Sequence, residues 1–298
     1  MALATVAAVL LNACSSDEAS DTAPSPEPTG APAVGVDESF RVLSEWTDRH
    51  NDAITSGDVR VWREAVTGAL EAPVSARVRV YGELPASARI SLANPVLYVP
   101  RQSRYPKWFG MAALERSTGK DQQVLGVFVK TDAKARWRAA HWLTFQGAPP
   151  DIASDRQGYA ISAPDRGLPS VHARYLADGD ESGVVPDAYS ADARTKRYGD
   201  WTGGPGKFTP GTGPSYALRT KDGGSLVWYG LKQEITLTGG DASTLPAELR
   251  DHLAKAAEEG EKPAGTLRTT WQWLVIGYAP PSGKRRVLGE SVSLVSAR

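Results

Sequence analysis

Hydrophobic spacing constrains this chain more than any other feature: a helical period gives way to an alternating one, and the change occurs twice. Phe40, Leu43, Trp46, Ala53 and Ile54 follow helical spacing from near Asp37, with Asp37 or Ser39 placed to cap. Gly57-Asp58 breaks that helix, and Asp58 caps a second one carrying Val61, Trp62, Ala65 and Val66. A short third helix over 74–81 follows Pro73. The period then becomes two, and 90–92 with 96–99, 108–114, 124–129 and 136–145 read as strands. After a stretch rich in Pro, Gly and Asp, the order recurs. Helices are predicted over 168–177, broken at Gly179-Asp180, and over 188–198. Strands follow at 216–218 and 226–237, joined by the hairpin turn Thr220-Lys221-Asp222-Gly223-Gly224. A helix over 245–259, with Thr244 as its cap, precedes strands at 267–278 and 286–295. Helices followed by antiparallel strands make an α+β layer. The expected fold is therefore α+β, with two tandem units at 37–146 and 168–298 joined by a linker at 147–167. Each unit has N-terminal helices packed on a curved antiparallel sheet.

Composition excludes some functions. Hydrophobic residues are 41% of the 298, enough to build a core, and the charged fraction of 23% is that of a globular protein. Thirty-four basic residues balance thirty-four acidic ones, so the chain lacks the cationic surface that a nucleic-acid partner requires. The single cysteine forms no internal disulfide, and with scattered histidines it builds no metal site, so neither metal nor cofactor is expected.

The position of that cysteine is informative. Residues 2–11 form an uncharged apolar run too short to span a bilayer. Leu11-Asn12-Ala13-Cys14 follows, and the four resemble the lipobox of bacterial lipoproteins. The resemblance implies diacylglyceryl attachment to the Cys14 thiol and cleavage before it. Residues 1–14 would be the signal peptide, and the membrane a partner through lipidated Cys14. The expected location is extracytoplasmic, lipid-anchored to the cell membrane. No Lys or Arg precedes the apolar run, so the translation start is expected upstream of Met1. Residues 15–36, acidic and Pro-rich without apolar period, read as a disordered tether that could reach ~70 Å when extended.

A second resemblance covers the remainder. Asn51-Asp52-Ala53-Ile54 with Gly57-Asp58 carry it in the first half. Tyr216 to Thr220 and Asp222 to Val227 carry it in the second. The unit resembles the cone-shaped NTF2-like and cystatin-like fold, and the chain resembles tandem lipoproteins of high-GC Gram-positive bacteria. That superfamily includes enzymes, ligand binders and interaction modules, so the likeness implies no chemistry.

Candidate sites are few. His141 alternates with Trp137, Ala139, Leu143 and Phe145 on one face of a strand, where a histidine could serve as general base. A histidine on an apolar face is more often core, and no acidic residue stands at a spacing that would orient it. His141 is thus a weak catalytic candidate, the centre of an alternative reading as hydrolase or isomerase. Trp271 and Trp273 share one face of a strand, with Trp228 on a neighbouring strand. They form either a shared core or an aromatic wall for a sugar ring or acyl chain. Asp178-Gly179-Asp180-Glu181-Ser182-Gly183 begins like a calcium loop, but Tyr189 stands where the bidentate Glu is required. Ser117-Thr118-Gly119-Lys120 lies in a hairpin turn. The Gly- and Pro-rich segment 203–214 reads as a long exposed loop, a candidate partner contact. The favoured expectation is a non-catalytic binding or interaction module of the cell envelope, its partner an envelope protein or a small ligand.

Overall fold

The computed structural model describes residues 30–145, 147–211, 213–260 and 265–298. Cys14, the apolar segment before it and most of the tether lie outside the described residues.

The first half opens with helices α1 (Val36–Ser56), α2 (Val59–Ala65) and α3 (Glu71–Tyr81). α1 buries Val42, Leu43, Trp46, Ala53 and Ile54, and ends at Gly57, whose φ of 61° closes the last turn in the left-handed region. Phe40, on the same spacing, stays 47% exposed. Asp58 caps α2 as expected, its carboxylate accepting from the Arg60 backbone N–H at 2.8 Å. The start of α1 departs from expectation. The helix begins at Val36 with Gly35 as its N-cap, so Asp37 and Ser39 lie inside it and Ser39 turns its hydroxyl back to the Val36 carbonyl. α3 begins at Glu71 rather than at 74, with Pro73 in its first turn, where a missing N–H costs nothing.

Four strands follow in an antiparallel meander: β1 (Ser91–Tyr98), β2 (Lys107–Ser117), β3 (Lys120–Lys130) and β4 (Arg138–Thr144). Asn51 secures helix to sheet, since its amide both donates to the Ile90 carbonyl and accepts from the Ile90 N–H, each at 2.8 Å.

The second half contains α4 (Leu168–Asp178), β5 (Val184–Val185), α5 (Ala188–Thr195), β6 (Lys207–Pro210), β7 (Tyr216–Arg219), β8 (Ser225–Thr238), α6 (Ala247–Glu258), β9 (Thr266–Ala279) and β10 (Arg285–Ala297). Its sheet runs β5-β10-β9-β8-β6, antiparallel except for the short parallel β5–β10 pair, with β7 also on β8. α4 ends at Gly179 with φ 84°, as α1 ends at Gly57.

Three expectations need correction here. The segment 203–214 is not one exposed loop, because Lys207–Pro210 pairs with β8 and Phe208 is buried. The glycines permit that docking. Gly206, at φ 82°, lies against the Glu234 carbonyl, and Gly211 donates to the Gly230 carbonyl at 2.6 Å. The stretch 147–167 is not a free linker. Ile152 bridges to Thr220, Ala160 to Pro100 and Ser162 to Leu218, so it joins the two sheets. Thr244 does not cap α6, whose N-cap is Pro246; its hydroxyl donates instead to Asp200.

β8 and β9 have two buried faces. Tyr229, Leu231, Trp271, Trp273 and Val275 pack with α4 and α6 through Leu168, Leu176 and Leu249. The opposite face presents Leu226, Trp228, Leu274 and Ile276 to the core of the first sheet, among Phe109, Met111 and Phe128. The two sheets therefore share a hydrophobic core.

Candidate functional site

Alternation along β9 puts Trp271 and Trp273 on one face, and the β8 register sets Gln233 opposite Trp271. α5 crosses above this face. Asp187 starts that helix by accepting from the Ser190 backbone N–H at 2.9 Å, which brings Tyr189 to 6.1 Å from the Trp273 ring. The chain leaving α5 carries Lys196 and Tyr198, and the first turn of α6 brings Glu248. Together they enclose a cavity of about 300 Å³, at the lower end of the range for small-molecule sites.

The floor of this cavity is aromatic and its rim is charged. Both indole N–H groups are satisfied internally: Trp271 donates to Thr269 Oγ1 at 3.0 Å and Trp273 to Gln233 Oε1 at 2.9 Å. Gln233 is itself fixed by donating to the Pro205 carbonyl at 2.7 Å. Neither indole donor is therefore free for a ligand, and the rings are themselves nearly covered, Trp271 4% and Trp273 1% exposed. The Lys196 ammonium stands 4.8 Å from the Trp271 ring centre and 5.6 Å from that of Tyr198, within cation–π range of both. Burial, with the Glu248 charge adding to it, pushes the Tyr198 phenol up to about 12, so it stays a neutral donor at physiological pH.

A buried polar cluster lies behind that wall, its histidine ring 6.3 Å from the ring of Trp273. His172 on α4 meets the Tyr229 hydroxyl through Nδ1 at 2.9 Å and Ser190 Oγ through Nε2 at 3.0 Å. Ser190 in turn donates to Glu290 Oε1 at 2.7 Å. Burial lowers His172 to about 4 against the opposing pull of Asp187. Burial likewise raises Glu290 to about 8, with the Ser190 hydrogen bond opposing and Asp187 adding to the rise.

The residues singled out from sequence have separate positions. Trp271 and Trp273 line the cavity. Trp228 does not join them: it is fully buried on the opposite face of the sheet, against Gly110 of β2. The strand period alone could not tell which face of a neighbouring strand its tryptophan takes. His141 is 1% exposed beside Tyr216, and its Nδ1 finds no hydrogen-bond partner among the described residues. Burial pushes it down to about 3, well below the range a general base needs. Asp178 and Asp180 accept from backbone N–H groups within their own turn, at 2.9 Å each. Ser117 and Lys120 are a cross-strand pair flanking the β2–β3 turn. The sequence reading missed Tyr189, Lys196, Tyr198 and Glu248, since they meet only where α5 and α6 fold over the sheet.

The model of a protein family described as "Domain of unknown function (DUF8094)" matches residues 30–298. The chain belongs to that family. It is similar to two proteins of Streptomyces coelicolor. One, named Uncharacterized lipoprotein SCO2278, is 27% identical over 293 residues, covering 90% of this chain and 86% of the relative. The other, Uncharacterized lipoprotein SCO6871, is 30% identical over 241 residues, covering 69% of this chain and 66% of the relative. No solved structure matches the chain. Among the described residues, no helix is long and apolar enough to cross a membrane.

Proposed function

We propose that this chain is an exported cell-envelope lipoprotein, anchored through Cys14, whose second α+β half binds a small ring-bearing ligand over Trp271 and Trp273. A sugar ring fits this site best. Its apolar face would stack on the exposed Tyr189 ring above the buried indoles, while its hydroxyls reach Lys196 and Glu248 at the rim. The observation that carries the binding reading is the cavity itself, with two tryptophans whose donors are already spent and a charged rim above them. The lipoprotein names of the Streptomyces coelicolor relatives and the Leu11-Asn12-Ala13-Cys14 motif support the anchor. We also read the two halves as copies of one NTF2-like unit. The support is that each half leads with a helix ended by a left-handed glycine and closes on consecutive antiparallel strands, β1 to β4 in the first and β8 to β10 in the second.

Thermal-shift screening of the protein against cell-wall glycan fragments and simple sugars tests the binding reading. A ligand at a hundred times its dissociation constant stabilises the native state by about 2.7 kcal/mol, readily resolved as a rise in Tm. The expected result is a saturable rise that Trp271→Ala abolishes while Trp228→Phe retains it. A blank across the glycan panel removes the sugar assignment. Incorporation of labelled palmitate in cells, lost in Cys14→Ser, tests the anchor separately.

A further inference from the structure

The polar cluster behind the aromatic wall has a composition that hydrogen bonding within it does not explain. Three elements converge there: His172 from α4, Asp187 from the cap of α5 and Glu290 from β10. One ligating atom from each lies within 4.8 Å of the others. The side chains of His172 and Glu290 are 0% and 3% exposed, so both carry the full cost of leaving water. Two oxygens remain unspent. Glu290 Oε2 and Asp187 Oδ2 are buried and find no hydrogen-bond partner among the described residues. No Lys or Arg forms a salt bridge with either carboxylate among the described residues; the ion-pair contact of Glu290 is His172, at 3.8 Å. Glu290 buried and Asp187 half-buried beside a buried imidazole, without a cationic side chain, make an arrangement that a bound cation completes.

We propose that His172, Asp187 and Glu290 form a binding site for a divalent first-row transition metal, zinc foremost. One imidazole nitrogen and two carboxylate oxygens suit such an ion better than calcium or magnesium, which take oxygen alone. Two ligands of one tetrahedral zinc ion stand roughly 3.3 Å apart, so the 3.8 Å between His172 Nε2 and Glu290 Oε1 needs only a small closure. Separations of up to 4.8 Å need closure of roughly 1.5 Å, a change of rotamer in the Asp187 and Glu290 side chains. Tyr229, at 2.9 Å from His172 Nδ1, holds the imidazole so that Nε2 faces the carboxylates, the orienting contact that metal-bound histidines ordinarily have. Ser190 Oγ, which now spans His172 and Glu290, is placed to be a fourth ligand or to give way to water. The aromatic cavity shares none of the three ligands, so the metal site stands whether or not the cavity takes a sugar.

Zinc and cobalt titrations of the purified, metal-stripped protein test the assignment. The expected result is one zinc per chain by elemental analysis, with a saturable rise in Tm. Glu290→Gln and Asp187→Asn should each weaken zinc binding by more than about a hundredfold. His141→Gln, on another sheet, should leave binding unchanged. Cobalt should bind with the visible spectrum of a nitrogen–oxygen site and without a thiolate charge-transfer band; this readout uses the unmutated protein and survives any folding defect in the variants. No metal bound to the parent protein overturns the proposal. So does zinc held equally by both carboxylate variants, or a thiolate band implicating Cys14.

Discussion

At the scale of single residues, burial is the largest influence on His141 and His50. His141 is held down to about 3 and His50 to about 4, in both cases chiefly by desolvation. Each folded-state pKa lies below the unfolded value near 6.5, so the unfolded chain takes up the proton first as pH falls. Stability that is complete above about pH 6.5 is then lost downward, by about 1.4 kcal/mol per pH unit for each histidine, until the folded-state pKa is reached. Urea denaturation between pH 7 and about pH 4 should show this slope, and His141→Gln should reduce it by one proton's worth relative to the parent. An unchanged slope would mean that His141 is hydrated in the native state. Trp228 gives a second prediction. Its ring is fully buried between the sheets, so Trp228→Ala should cost about 3–5 kcal/mol in denaturant melts. Trp271, at the cavity floor, should affect ligand binding more than Trp228 does.

At the scale of elements, β6 shows how glycine permits pairing where the local pattern shows only a breaker. Gly206 has φ 82° and lies against the Glu234 carbonyl, so a methyl group there would push Lys207–Pro210 away from β8. Gly206→Ala should therefore speed amide hydrogen exchange in β6. Gly204→Ala, with open space around its α-carbon, should not. The helices and longer strands were largely legible because their periods extend over several turns or pairs. α4 and β8 begin and end within a residue or so of where spacing placed them. Short paired segments were illegible, since their partners lie elsewhere in the chain. β6 reads as Gly- and Pro-rich loop, and the bridges of 152–162 read as linker, until β7, β8 and the end of β1 are placed beside them. The α6 cap failed because 242–244 forms its own short turn and the helix begins only at Ala247, behind Pro246.

At the scale of the molecule, the back of the second sheet completes the core of the first. Leu226, Trp228, Leu274 and Ile276 pack among residues of β2 and β3, while 152–162 hydrogen-bonds to both halves. The halves should therefore unfold together. Far-ultraviolet circular dichroism and tryptophan fluorescence are expected to give coincident denaturation curves, and calorimetry a single transition. Two resolved transitions would show that the shared core contributes little to cooperativity.

The amino-acid sequence by itself determined the order of the helices and longer strands, the α+β class, the inward face of α1, the Asp58 cap and the shared face of Trp271 and Trp273. All of these depend on neighbours a few residues away, linked by helical or strand geometry. Tertiary structure alone decided that Trp228 turns from that face, that His141 is buried, and that α5 and α6 bring Tyr189, Lys196 and Glu248 over the tryptophans. It also decided that His172, Asp187 and Glu290 meet. These residues lie far apart in the chain and obey no common period, so only the closure of helices over a twisted sheet brings them together.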